Sequence, residues 1–459
     1  AGQAAFDLIR RRWPDARRLA VVVGTGNNGG DGFVLARLAR EAGLEAEVLQ
    51  LGERSRLQGD AAANAARWDE LGGDWRPYEG IPAGTDLIVD AILGTGLERD
   101  VSGAWAEAIA AMNAHRAPCL SIDIPSGLHS DSGVIMGTVV RASATISFIG
   151  LKLGLFTADG PACRGEVVFD GLEVPAAVYA SSVLAARRID WSKQAGMLTP
   201  RSRTAHKGHF GHVLVVGGNH GFGGAARLAA EAALRVGSGL VSLATRPQHI
   251  AAVLASRPEI MAHGVDGPQA LQPLLRQATV VAIGPGLGQD DWARGLWAAA
   301  FDARRPLVVD ADALRLLATE PVRREDWVLT PHPGEAAALL GLCNAEVNAR
   351  RLDAAHQLQG RYGGNLVLKG AGSVVASQGG APPAVCSDGN PGMASGGMGD
   401  VLTGVIAGLL AQGLDLRDAT ECGVCLHAAA ADVAAAQDGE RGLLGTDVIA
   451  QLRSLVNPS

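Results

Sequence analysis

The stretch "NPGMASGGMGDVLTGVIAGLLAQG", Asn390–Gly413, poses the fold question. Gly392, Gly396, Gly397 and Gly399 lead into one carboxylate, Asp400, and a strongly apolar run follows at once. An earlier stretch, "VVVGTGNNGGDGFVLARLA" (Val21–Ala39), has the same order of strand, glycines, carboxylate and helix. The first N–H groups of a helix lack intrahelical partners and lie at the positive end of its dipole, so such a junction receives anions. Two junctions of this kind, far apart in sequence, read as two α/β units.

Bulk properties agree with that reading. A chain of 459 residues exceeds one ordinary core, so two domains are expected. Apolar residues at 47% and charged residues at 19% suit a globular enzyme. The glycines gather in short motifs rather than repeats, which excludes collagen-like and low-complexity chains. Net charge is −7 and no long basic run occurs. Arg10, Arg11 and Arg12, with Arg17 and Arg18 close by, read as a solvated helix and loop, so no nucleic-acid partner is expected. No apolar run reaches membrane-spanning length, so no membrane partner is expected either. Six scattered cysteines form no disulfide framework, and the CxxC of Cys422 and Cys425 has no second pair to complete a zinc site. No secretory leader is read, and the cytoplasm is the expected compartment.

Short apolar strands alternate with helical patterns. In the first half, strands are expected at Leu19–Gly24, Ala46–Leu51, Leu87–Ile92, Cys119–Ile124, Ala144–Ile149 and Glu166–Asp170. Helices are expected at Gly32–Ala42, Asp60–Leu71 and Ser102–His115. Continuous apolar strands imply a parallel sheet covered on both faces. The pattern breaks after Val174 and shows no clear strand up to Gly208; the boundary is placed near residue 180, giving domains 1–180 and 181–459. Alternation resumes with strands at His212–Gly217, Leu240–Ala244, Val280–Gly284, Leu307–Asp310, Trp327–Thr330, Asn365–Lys369 and Ser373–Ala376. Helices are expected at Ala225–Val236, Gly334–Leu340, Asn344–Gln359, Gly399–Ala411 and Asp418–Gln437. The fold class is α/β, with two three-layer domains.

In the second domain Gly396, Gly397 and Gly399 can surround a phosphoryl group, and Asp400 in the first helical turn can face a reacting hydroxyl as a base. Alone, this is also what a glycine-rich cap with an acidic helix start looks like. It has company, however. "LVLKGAGSVVAS" is a tight strand–turn–strand carrying Lys369, which reads as a nucleotide contact or a plain hairpin. "VVAIGPGLGQDD" puts Gly284, Gly286 and Gly288 past a strand end, and "VLTPHPGEAAALLG" puts His332 past another. Ligands of α/β sheets bind outside the carboxyl ends of strands, so four such turns make a crevice. The histidines of "HKGHFGH" (His206, His209, His212) lack a carboxylate partner and read as incidental.

The succession "NHGFGGAARLAAEAALRVGSG", "GPGLG", "TPHPGE", "LKGAGS" and "NPGMASGGMGD" resembles the ADP-dependent NAD(P)H-hydrate dehydratases of the ribokinase-like fold, from about His206 to the C-terminus. The resemblance implies substrate contacts at Ala225, Gly286, His332 and Asp400, and nucleotide contacts at Lys369, Gly370, Ala371, Gly372, Ser373 and Gly399. It implies ADP as phosphoryl donor, with Mg2+, and Asp400 as catalytic base.

In the first domain "GTGNNGGDG" is not the dinucleotide fingerprint, because Asn27 and Asn28 fill its middle. Asn tolerates left-handed turns and offers donors and acceptors, so this loop can take a phosphate or amide or turn a carbonyl oxygen to a cation. "LIVDAILGTGLERD" ends a strand on Asp90, and "LSIDIPSGLHSDSG" puts Asp123 and Ser126 past another. A carboxylate in an apolar strand is costly unless paired or metal-bound, and oxygen donors favour a hard cation. Together these motifs resemble the NAD(P)H-hydrate epimerases, across about Ala1–Val174, with a Rossmann-like fold. The resemblance implies substrate contacts at Asn27, Asn28, Gly29, Gly30 and Asp31, at Gly94, Thr95, Gly96, Leu97, Glu98, Arg99 and Asp100, and at Asp123. It implies K+ at Asn28, Asp90 and Ser126, and Asp123 as the acid/base group. It also implies a further N-terminal segment, of which this chain carries little, and a homo-oligomer is expected.

The two resemblances together imply a bifunctional repair of the hydrates NADHX and NADPHX, in which R and S forms are interconverted and the S form is dehydrated. Two alternatives stay open on the residues: a ribokinase-like kinase for a small alcohol, and a first domain that only binds a ligand or partner.

Overall fold

The computed structural model describes residues 1–457. The chain divides into two compact units, Ala1–Val183 and Leu184–Ser459.

The first unit is built on seven strands, β1 (Arg18–Val23), β2 (Glu45–Gln50), β3 (Trp75–Pro77), β4 (Leu87–Ala91), β5 (Cys119–Ile122), β6 (Ala144–Phe148) and β7 (Glu166–Asp170). Their order is β3-β2-β1-β4-β5-β6-β7, and every pair is parallel. Alternate residues of one strand feed two cores. Leu19, Val21 and Val23 join a cluster with Phe33 and Trp68, while Ala20 and Val22 join another with Ile109 and Met112. Both faces of the sheet are therefore covered, as the continuous apolar strands required. Strand order reverses between β1 and β4, the place where a Rossmann-like sheet opens a crevice.

The second unit carries ten strands, β8 (Arg187–Ile189), β9 (His212–Val216), β10 (Leu240–Thr245), β11 (Met261–Gly264), β12 (Val280–Ile283), β13 (Leu307–Val309), β14 (Trp327–Leu329), β15 (Asn365–Leu368), β16 (Ser373–Ala376) and β17 (Ala384–Cys386). Their order is β11-β10-β9-β12-β13-β14-β15-β16-β17-β8. The β15–β16 and β16–β17 pairs are antiparallel and the rest parallel. The helix Met398–Ala411 packs on Gly223–Arg235 through its glycines. A Cβ on Gly404 would come within 2.0 Å of the Ala229 carbonyl oxygen, and one on Gly408 within 2.4 Å of a Val236 methyl. Part of the glycine content of "VLTGVIAGLL" is thus backbone proximity between helices, not turn chemistry.

Several expectations are corrected. The helix expected from Gly32 begins at Asn27, so "NNGGD" is its first turn rather than a loop. Neither Asn27 nor Asn28 adopts positive φ. The glycines serve contact: a Cβ on Gly29 would meet the Gly24 carbonyl oxygen at 2.2 Å, and one on Gly32 would meet Ala91 Cβ at 2.7 Å. The segment expected to lack a strand contains β8, a three-residue edge strand whose partner β17 lies far along the chain. The single helix expected over Asn344–Gln359 is two, Asn344–Ala349 and Arg351–Tyr362, broken at Arg350 with φ −137° and ψ 56°.

Candidate active sites

In the first unit the expected residues assemble at the β1/β4 switch point. Asp90, on β4, is 0% exposed. Its Oδ2 accepts from Ser121 Oγ at 2.8 Å and Ser126 N at 2.8 Å; its Oδ1 accepts from Ser126 Oγ at 2.5 Å and Ile92 N at 3.3 Å. All four donors are neutral, and burial raises the Asp90 carboxyl above its ordinary value. Asn28 Nδ2 donates to the Leu93 carbonyl at 3.0 Å, and Leu93 N donates to Ser126 Oγ at 2.8 Å. Asn28 and Ser126 thus both bond to Leu93, just past β4, and Asp90 joins them through Ser126.

Asp123 lies just past β5 in the left-handed region, at φ 68°, where a non-glycine residue is held only by its surroundings. Its amide donates to the Ile146 carbonyl at 2.7 Å, and its Oδ1 accepts from Phe148 N at 3.2 Å. The same oxygen pairs with Lys152, whose ammonium also donates to the Phe148 carbonyl at 2.8 Å. Lys152 was not anticipated; its signal was a lone cation in the apolar run "SFIGLKLGLF". Burial raises the Asp31 carboxyl, and Asp123 is among the charges acting on it. Of the loop Gly94–Asp100, Thr95, Gly96, Glu98, Arg99 and Asp100 are exposed, whereas Leu97 is buried in the core with Ile109. Only the backbone of Leu97 remains for a ligand.

In the second unit Asp400 stands half-buried in the first turn of Met398–Ala411, after Gly397 at φ 95°. Burial first, then the nearby charge of Asp310, lifts its carboxyl to about 7, against the attraction of Lys369. Among the described residues no side chain or amide hydrogen-bonds this carboxylate, so it is available. Below it lies an ion pair. Lys369 Nζ is 2.7 Å from Asp310 Oδ1 and 3.9 Å from Glu335 Oε2, and Thr403 Oγ1 donates to Asp310 Oδ2 at 2.9 Å. Burial pushes Asp310 up, but Lys369 and the hydroxyls of Thr403 and Thr330 outweigh it and hold the carboxyl below its ordinary value. Lys369, expected at the nucleotide, therefore spends its charge on Asp310.

His332 caps the helix Pro333–Leu340: its Nδ1 accepts from Gly334 N at 3.0 Å and Glu335 N at 3.2 Å, and Nε2 faces Glu335 Oε1 at 3.4 Å. Gly286 has φ 58°, and a Cβ there would lie 2.6 Å from Phe222 Cβ and 3.3 Å from Ala225 Cβ, so Gly286 and Ala225 share one wall. Leu228, on the same helix as Ala225, would sit 2.8 Å from a Cβ on Gly397, which ties that wall to the glycines. The turn Gly370–Gly372 joins β15 to β16, with Ala371 exposed and Ser373 Oγ on the Gly370 carbonyl at 3.2 Å. Arg351, also unanticipated, is buried behind this turn and donates to the carbonyls of Leu368, Lys369 and Gly372 at 3.2, 3.2 and 3.4 Å. Burial lowers its guanidinium to about 10. His206 and His209 stack at 3.7 Å between ring centres, while His212 is buried on β9 against Ser242.

Two family profiles match the chain: residues 1–154 fit the YjeF-related protein N-terminus, and residues 213–453 fit NAD(P)H-hydrate dehydratase. A Coxiella burnetii protein named bifunctional NAD(P)H-hydrate repair enzyme is 49% identical over 461 residues, covering 100% of this chain and 94% of that protein. This chain belongs to the bifunctional NAD(P)H-hydrate repair enzymes. An Escherichia coli member is 45% identical, covering 100% of this chain and 88% of its own length. Among solved structures, the ADP/ATP-dependent NAD(P)H-hydrate dehydratase of Bacillus subtilis, co-crystallised with ATP and Mg2+, is 27% identical with a TM-score of 0.54, covering 60% of this chain and 98% of that one. A ribokinase-like superfamily protein from Enterococcus faecalis is 29% identical with a TM-score of 0.56, covering 60% of this chain and 96% of its own.

Proposed function

We propose that the first unit interconverts the R and S hydrates of NADH and NADPH through Asp123, and that the second dehydrates the S hydrate with ADP through Asp400. The observation that carries this is Asp400 itself. It is a carboxylate with no hydrogen-bond partner among the described residues, poised near neutrality, one residue past a glycine-rich helix N-terminus.

Hydroxide is a poor leaving group, and phosphorylation improves it. Asp400 takes the proton of the ring hydroxyl as that oxygen bonds to the terminal phosphorus of ADP and the bond to AMP breaks. Gly396, Gly397 and Gly399 turn amide hydrogens toward the transferring group, the stabilisation phosphoryl transfer depends on. Phosphate then leaves with the former hydroxyl oxygen while the neighbouring ring carbon gives up a proton, so the ring double bond forms again and the reduced nicotinamide is restored. Ala225, Gly286 and His332 hold the hydrate, and the turn Lys369–Ser373 holds the nucleotide mainly by backbone, since the Lys369 ammonium is taken. Among the described residues no group of three or more His, Cys, Asp or Glu is arranged for a metal ion. A divalent ion would accordingly enter with the phosphates, as magnesium ordinarily does.

In the first unit Lys152 steadies Asp123 as it exchanges a proton with the hydrate. Asn27 through Asp31 and the loop Gly94–Asp100 enclose the substrate. A monovalent cation suits Asn28, Asp90 and Ser126: these are oxygen donors, and Asp90 is a buried carboxylate with no cationic side chain in ion-pair range among the described residues. Bound there, K+ would supply the missing positive charge. No helix of the described residues is long and apolar enough to cross a membrane. The six free cysteines support a reducing compartment such as the cytoplasm.

The test is to incubate the full chain with mixed R and S hydrates, with and without ADP or ATP and Mg2+. With nucleotide, absorbance of the reduced nicotinamide returns while AMP or ADP and phosphate appear in equal amounts. Without it, an enriched R or S sample relaxes to a mixture. A stable phosphorylated product would instead identify a kinase, and no R/S relaxation would leave the first unit a binding module.

A further inference from the structure

The proposed mechanism leaves the Asp310–Lys369 pair without a chemical task, although it is the most enclosed ionic contact beside the reacting carboxylate. Asp310 is 1% exposed. It lies just past β13, where its amide donates to the Ile283 carbonyl at 3.1 Å, so its backbone is locked to the neighbouring strand end. A Cβ on Gly399 would stand 3.1 Å from Lys369 Nζ and 3.4 Å from Asp310 Oδ2. The pair therefore lies directly beneath the residue before Asp400, with no side chain between. Thr403, one turn along the same helix, fixes Asp310 from the other side at 2.9 Å.

We propose that Asp310 is a positioning residue of the dehydratase site, acting with Lys369 as a buried dyad that governs the acid–base behaviour of Asp400. This rests on the reading of Asp400 as the base. The groups acting on Asp400 come from four elements: Asp310 past β13, Asp312 on the helix Ala311–Thr319, Glu335 on Pro333–Leu340, and Lys369 past β15. Three are acids and one is a cation. Asp312 is drawn toward Gly288 N at 2.8 Å, and Glu335 toward His332 N at 2.8 Å, so each has an amide donor. Glu335 only approaches the cation at 3.9 Å, whereas Asp310 is hydrogen-bonded to it at 2.7 Å. Its negative charge disfavours a second anion at Asp400, while the ammonium it anchors favours one. The dyad holds both influences at fixed distance, keeping Asp400 able to gain and lose a proton in the neutral range.

The expected signature is a displacement and a return. In single-turnover dehydration by the full chain, the acidic limb of the pH–rate profile belongs to Asp400. Asp310→Asn removes repulsion and leaves the cation, so the limb moves down by about one pH unit. Asp310→Asn combined with Lys369→Met removes both charges, and the limb returns toward its original position. Should Asp310→Asn not fold, Asp310→Ser makes the same charge change and leaves a hydroxyl to Lys369 and Thr403. A limb unmoved in Asn and Ser alike, with only the amplitude reduced, means a structural role and overturns the proposal. A limb equally displaced in the double variant removes Lys369 from it and overturns the dyad. Asp400→Asn separates this from the parent reading: retention of wild-type turnover there sinks Asp400 as base, whatever Asp310 does.

Discussion

Asp90 and Asp310 are both buried carboxylates near strand ends, one in each unit. Asp90 stands on β4, at the reversal of strand order, and Asp310 just past β13, one strand beyond the reversal between β9 and β12; each is at most 1% exposed. They solve the same burial problem differently. Asp310 has an ammonium at 2.7 Å. Asp90 has only hydroxyl and amide donors. The outcome is opposite in sign, with Asp310 held below the usual carboxylate range and Asp90 above it. A buried acid with its own cation can serve as fixed scaffolding, whereas one with neutral donors still has charge to offer a ligand.

The largest test separates the two acids proposed to react, Asp123 and Asp400, which these scaffolds flank. Asp400→Asn is expected to cut dehydration at least about 100-fold, the usual contribution of a positioned base, while R/S exchange persists. Asp123→Asn is expected to do the reverse. Loss of both activities in either variant would break the idea that each unit runs its own chemistry.

A second test asks whether Asp90 recruits a cation. Because its proton affinity is raised in the fold, ionised Asp90 disfavours the native state above its unfolded value, and the cost is relieved as pH falls through the folded value. A monovalent cation would relieve it without acid. At roughly one hundred times its dissociation constant, K+ would stabilise the first unit by about 2.7 kcal/mol. Read by hydrogen exchange over Leu87–Ala91, protection at neutral pH should rise with K+ but not with a large organic cation, and Asp90→Asn should abolish the rise. Equal protection in both salts removes the cation from the site.

How these acids read in the sequence follows from their neighbours. Asp90 and Asp123 were visible because each sits among apolar strand residues and a buried carboxylate demands a reason. Asp310 sits in the same context, "LVVDAD", and the same argument would have found it. The partner was what could not be read. Lys369 lies fifty-nine positions away and meets Asp310 only because β13, β14 and β15 pair in order. Lys152 was hidden likewise, its ammonium turned back to Asp123 from beyond the next strand. Strands with long apolar runs were legible from periodicity alone. The edge strands β3, β8 and β11 and the short inner strand β17 were not, since three or four residues carry no period. Glycines misled in one respect: those of "NNGGDG" signalled flexible loop, yet they allow a regular helix to lie close on its sheet.

Arg351 sharpens the contrast between charge that reacts and charge that supports. It donates to three backbone carbonyls behind the turn Gly370–Gly372, proposed to hold the nucleotide. Removing one partner of buried hydrogen bonds costs about 1–3 kcal/mol, so Arg351→Met is expected to destabilise the second unit by about 2 kcal/mol in denaturant unfolding. The nucleotide KM should rise more than kcat falls. An unchanged KM would mean the turn holds its shape without the guanidinium.

The smallest effect concerns His427, on the helix Leu416–Asp438. It is buried, with Nε2 lacking a hydrogen-bond partner among the described residues and the Met398 carbonyl as backbone acceptor. Burial first, then the charge of Lys369, lowers its proton affinity from 6.5 to about 4. In the unfolded chain this imidazole binds a proton near 6.5, whereas the native state takes none until about 4, so the unfolded state binds more protons across that window. Stability must fall as pH drops through it. From pH 7 to 5.5 the loss from this one group is about 1 kcal/mol. His427→Leu should flatten that part of the stability–pH curve, whatever it does to the absolute value at pH 7, because only the slope counts protons. An unchanged slope would mean that the native ring takes up its proton over the same range as the unfolded chain, so that below about 6.5 a second cation stands on the Lys369 side of Asp400 and the acids there are less dominant than the contrast with Asp90 requires.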